Sequence, residues 1–147
     1  MAYPSVTSNL LAKSATAKVM TNGDVIFTAT KDIIVFGLAS ACVTANNATA
    51  STLQYSVTNA NGTTTISGAS ASLANAAIGV RTVAQLGALA TAPTLTSASG
   101  VAITPWTGVL VPGGSTITLV IGVGTTTGTW THELVYQPFE SGAFVTA

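Results

Sequence analysis

The sequence predicts an all-β protein, an antiparallel β-sandwich of jelly-roll type with about eight strands, and three observations carry that reading. Residues branched at Cβ abound, with 26 Thr and 15 Val among 147 positions, and such side chains suit a pleated, half-buried surface. Apolar residues recur with period two on either side of turn dipeptides such as Asn22-Gly23 and Asn61-Gly62, the pattern of strands joined by tight turns. No long segment reads as a helix, so two packed sheets are the natural way to bury the apolar faces.

The elements follow in order. Residues 1–14 read as an N-terminal arm and 15–138 as the sandwich. Asn22-Gly23 tolerates the positive φ of a type I′ turn, which predicts a hairpin between Ala15–Thr21 and Val25–Thr30. Ile33–Thr44 is apolar on both faces and reads as a central strand. After a small, polar loop, Leu53, Tyr55 and Val57 alternate with Gln54, Ser56 and Thr58, and Asn61-Gly62 turns the chain into Thr63–Ser67. Residues 68–99 are the least legible: Ser72 suits a helix cap, while Val80, Thr82, Ala84 and Leu86 equally suit a strand. Val101–Thr104 and Val109–Val111 are short strands. Pro112-Gly113-Gly114 suits a type II turn, and Ile117, Leu119, Ile121 and Val123 share one face of the next strand. Thr129–Gln137 places Trp130, Leu134 and Tyr136 in one phase before Pro138 stops it. Residues 139–147 read as a C-terminal tail.

Charge is the chain's other peculiarity. Four cations and four anions serve all 147 residues, where a typical soluble domain of this length carries about 37. None lies between Ile33 and Val80, and none between Thr82 and His132. A lone domain of this mass exposes roughly 7,000 Å², and with zero net charge little repulsion keeps copies apart. The composition therefore points to a surface covered by neighbours. Disorder is the competing reading of such a biased composition, but disordered chains are charged and apolar-poor, and this one is 48% hydrophobic. The first twenty residues lack the basic and apolar regions of a secretory signal. The longest apolar run, Ile33 to Val43, is about half a membrane span. Cys42 has no second cysteine to pair with and sits in that run, so it reads as a small buried hydrophobe.

Few residues suit chemistry. His132 shares a phase with Trp130 and Leu134 and reads as a hydrogen-bonded sheet histidine; Glu133 points to the opposite face. One His and one Cys are too few for zinc, and the serines lack a convergent His and Asp. The glycines at 122, 124 and 128 lack the Lys-Ser/Thr end of a phosphate loop. Lys13, Lys18 and Lys31 gather near the first turn, where they suit solvated edge charges better than a nucleic-acid stripe. Trp130, Tyr55 and Tyr136 alternate with apolar residues as core. Trp106, between Pro105 and Thr107, suits an interface or a ligand contact as well. The expectation is a non-enzyme with no catalytic, metal or cofactor residues, binding neither nucleic acid nor membrane.

One resemblance is visible. Asn22-Gly23-Asp24, the buried run Ile33-Ile34-Val35-Phe36-Gly37-Leu38, the Thr/Ala/Ser-rich middle, Val109 to Leu119 and the closing strand Trp130 to Tyr136 together resemble the small jelly-roll decoration or cement proteins of tailed-phage capsids. The likeness spans roughly residues 15 to 138. It implies a virion structural protein made in a host cytoplasm, a homo-oligomer, in that family often a trimer, bound to the major capsid protein or another virion protein. A tail or fibre component, or a glycan- or receptor-binding module, is the alternative. Large apolar residues outside the expected strands are the candidate interface: Tyr3, Leu10, Leu11, Phe139, Phe144 and Val145, with Trp106 beside them.

Overall fold

The computed structural model describes residues 10–86, 92–96 and 108–147. Among these residues there are strands and turns and no helix. In chain order the strands are β1 (Leu11–Val19), β2 (Val25–Ala29), β3 (Ile33–Cys42), β4 (Thr52–Asn59), β5 (Gly62–Thr65), β6 (Arg81–Gln85), β7 (Thr94–Thr96), β8 (Val109–Val111), β9 (Thr116–Gly122), β10 (Thr129–Pro138) and β11 (Val145–Thr146). They form two antiparallel sheets packed as a β-sandwich. The first has the order β1-β10-β3-β6-β7, with β8 also on β3; the second has the order β11-β2-β9-β4-β5. The expected count of about eight strands omitted β7 and β11, while β6 is one of the two readings that the sequence offered for its segment.

Period-two patterning sets the core. Leu53 and Tyr55 on β4, Ile117 and Leu119 on β9, and Trp130 and Leu134 on β10 are buried from facing sheets. Each such side chain contributes roughly 1.5–3 kcal/mol through removal from water. β3 is central, as expected, but it does not keep one phase. Ile33 and Val35 are buried, then Leu38, Ser40 and Cys42. The register with β10 slips at that point, Tyr136 facing Val35 while Val135 faces Gly37. The extra residue of this bulge swaps the faces, which lets a strand apolar on both sides fill the core along its whole length.

Several local expectations are corrected. The turn at Asn22-Gly23 forms, with Gly23 at φ +85°, yet it joins no hairpin: β1 pairs with β10, and β2 with β9 and β11. The turn instead carries the chain from one sheet to the other and docks on β9. The Gly23 N–H donates to the Leu119 carbonyl, the Leu119 N–H donates to the Asp24 carbonyl, and the Ile121 N–H donates to Asn22 Oδ1. β1 also starts at Leu11, inside the expected arm. The Ser72 segment is a turn rather than a helix. Strand β6 keeps the phase expected of a strand there, with Thr82, Ala84 and Leu86 buried. The turn after β8 falls one residue later than expected, closed by the Ser115 N–H on the Pro112 carbonyl, with Gly114 at φ +79°. Val123 leaves its expected face altogether: it is exposed, at φ +67°. Val101–Thr104 lies outside the described residues.

Candidate interaction surface

Among the described residues, the cluster of chemically versatile side chains is sealed inside the sandwich. His132 on β10, Ser40 on β3 and Thr82 on β6 are cross-strand neighbours, because His132 faces Ser40 and Ser40 faces Thr82 in the two ladders. Tyr55 reaches them from β4 in the opposite sheet. Ser40 Oγ lies 2.7 Å from His132 Nδ1 and 2.7 Å from the Tyr55 hydroxyl, which lies 3.4 Å from Thr82 Oγ1. His132 Nε2 is buried without a partner. An orphaned acceptor costs less than an orphaned N–H, which favours the tautomer in which Nδ1–H donates to Ser40, Ser40 to Tyr55 and Tyr55 to Thr82. Burial, helped by the Lys18 charge, lowers the His132 pKa to about 4, and burial likewise raises that of Tyr55. The imidazole is therefore neutral at pH 7. All four groups are at most 1% exposed, so the network ties the sheets together and meets no solute.

Cys42 is also internal. Its thiol donates to the Thr44 carbonyl at 3.1 Å, and burial pushes its pKa up. Among the described residues no three of His, Cys, Asp and Glu are grouped to hold a metal ion.

Six of the ten large apolar residues exposed among the described residues share a more definite arrangement, while Val25, Val43, Ile78 and Val123 are exposed elsewhere. The β3 start, the β10 end, the β1 start and β8 lie at one pole of the sandwich, because Ile33 faces both Pro138 and Val111, and Leu11 faces Tyr136. The C-terminal segment is bound there. Val145 faces Ala29 on β2, and the Thr30 N–H and hydroxyl both donate to the Phe144 carbonyl. Lys31 Nζ donates to the Ser141 carbonyl at 3.0 Å, and the Phe139 N–H donates to the Asp32 carbonyl. A backbone so held cannot withdraw its side chains, and it presents the rings of Phe139 and Phe144 at 62% and 53% exposure. Leu10, Leu11, Leu110 and Val135 at the same pole are exposed as well.

The candidate interface residues thus divide. Leu10, Leu11, Phe139 and Phe144 are brought to one pole. Val145 is corrected: it is 4% exposed and belongs to the protein's own core. Tyr3 and Trp106 lie outside the described residues. Leu110 and Val135 were not anticipated. For Leu110 a signal existed, since Val109-Leu110-Val111 places an apolar residue where an outward polar one is usual. No family model, curated protein or solved structure matches this chain.

Proposed function

We propose that the protein is a virion structural protein, a capsid decoration subunit that associates with its own copies and attaches to the shell by surface burial. The observation that carries this reading is the apolar pole: two phenylalanine rings and four aliphatic side chains, held outward by bonded backbone, on a surface of 7531 Å² that has only eight charged residues to keep it in solution. Removing apolar surface from water contributes about 25 cal/mol per Å², part of which is lost to the cost of association.

The strand order supports a jelly roll. Leaving out β7, β8 and β11, the eight remaining strands pair first with last: β1 with β10, β2 with β9, β3 with β6 and β4 with β5. Successive pairs alternate between the sheets. That is a long two-stranded ribbon folded at β4–β5 and rolled up. The resemblance to phage decoration proteins supplies the virion setting and the trimer. An unpaired buried Cys42 agrees with folding in a reducing compartment.

Two measurements test the reading. Sedimentation equilibrium at micromolar concentration should give a homo-oligomer; a clean monomer at all concentrations overturns self-association. Capsid shells stripped of the protein should be re-decorated by it, and the Phe139→Ser/Phe144→Ser variant should bind at least tenfold more weakly. Unchanged occupancy would remove the pole from the attachment, and binding to tails but not shells would place the protein there instead.

A further inference from the structure

We infer that Asn61 is a site of spontaneous covalent modification, deamidation through a cyclic imide, and that the fold makes it so while protecting the chain's other Asn-Gly pair. The sequence holds two such dipeptides, Asn22-Gly23 and Asn61-Gly62. Glycine after asparagine leaves the backbone nitrogen unshielded, so as unfolded peptides the two pairs should react at similar rates. In the folded protein their surroundings differ.

At Asn22 both reacting groups are engaged by β9. The carboxamide oxygen accepts the Ile121 N–H at 3.1 Å. The attacking nitrogen, that of Gly23, donates to the Leu119 carbonyl at 2.8 Å. β9 lies inside the second sheet, between β2 and β4, and Leu119 is fully buried. Bringing the Gly23 nitrogen onto the Asn22 side-chain carbon would require breaking both bonds at once.

At Asn61 the arrangement is loose. Residues 60 and 61 are the two-residue loop between β4 and β5, closed by Asn59 facing Gly62. Asn61 donates its backbone N–H to Asn59 Oδ1, and no described group bonds its side-chain amide. β5 is a sheet edge of four residues, every one exposed. Fraying of so short an edge releases the Gly62 nitrogen at little cost, and Gly62, at φ +124°, has no atom within 4 Å of where a Cβ would stand.

The chemistry balances with water alone. The Gly62 nitrogen, losing its proton to solvent, bonds to the Asn61 side-chain carbonyl carbon. The bond from that carbon to the side-chain nitrogen breaks, and ammonia leaves carrying a proton from solvent. Water then opens the five-membered imide at either carbonyl, giving aspartate or isoaspartate. The product places a carboxylate inside the charge-free stretch from Ile33 to Val80, and the formal net charge moves from zero to −1.

The test is incubation of the full chain at pH 8 and 37 °C, with peptide mapping by mass spectrometry for the gain of about one dalton and isoaspartyl methyltransferase labelling to mark the isomer. A parallel sample in 8 M urea gives the intrinsic rates. The folded protein should convert Asn61 at least tenfold faster than Asn22, and the ratio should fall to within about threefold in urea. Asn61→Gln should abolish the folded-state signal and leave Asn22 slow. Equal rates in the folded protein, a faster Asn22, or a folded-state preference that persists unchanged in urea would each overturn the inference.

Discussion

His132 gives the fold a dependence on acid whose sign is fixed by burial. Its pKa falls from 6.5 to about 4 on folding, so between those values the unfolded chain holds a proton that the folded chain does not. The stabilisation is fully present above pH 6.5 and is lost as pH falls toward 4, a span worth about 3 kcal/mol. Urea melts at steps from pH 7 to 4 should show that loss, and His132→Gln should flatten the slope while lowering stability at pH 7. Lys18 and Asp24, the charges that act on the imidazole, oppose one another, so the slope should survive neutralising both. Tyr55→Phe leaves the Ser40 and Thr82 hydroxyls without their bridge between sheets and should cost about 1–3 kcal/mol in the same melts. Val123 is the reverse case. A β-branched residue at φ +67° is strained, so Val123→Gly should raise stability by up to about 1 kcal/mol; a lower melting temperature would mean that the loop relies on the valine. The inward phase of His132 was legible because Trp130 and Leu134 flank it two residues either way. Its partner was not, since Ser40 and Tyr55 meet it only through strand order.

Elements show the same division. β4, β9 and β10 were legible from alternation alone, because each buries its apolar phase against the facing sheet, although Ser56 on β4 and Thr118 on β9 are buried on the other face as well. The tail was misjudged, and the reason is physical: a two-residue strand such as β11 has no periodicity to read, and the Pro138 before it marks a strand end without saying where the chain goes next. The docked tail gives a prediction that separates its two roles. Deleting residues 139–147 removes Val145 from the core and the bonds at Thr30 and Lys31, and should lower monomer stability by about 2–4 kcal/mol. Phe139→Ser and Phe144→Ser change only exposed rings and should stay within about 0.5 kcal/mol of the parent. Thermal melts in dilute solution distinguish the cases; equal destabilisation by all three would mean that the rings pack on the sandwich itself. The Asn22-Gly23 turn carries a further lesson. The dipeptide reports a sharp reversal, and a reversal can as well pass between sheets as within one.

At the scale of the whole molecule, the charge count was legible and the distribution of apolar surface was not. Where exposed side chains gather depends on which strand ends the topology brings together, and β1, β3, β8, β10 and β11 meet at one pole only through pairings far apart in sequence. Those pairings also set a timetable. β1 ends at Val19, and its partner β10 starts at Thr129. At synthesis rates of roughly 5–20 residues per second, β1 waits on the order of ten seconds before its ladder can form. Throughout that time it is a nine-residue strand with both edges open, the kind of segment that templates aggregation. It is also where the chain spends two of its four cations, Lys13 and Lys18. Charges that guard the open edge of the finished sheet also act as gatekeepers while the ribosome completes the rest. Replacing both lysines with threonine, the residue the sequence uses most, should therefore leave the refolded protein's melting temperature within a few degrees and sharply reduce the soluble fraction recovered from cells.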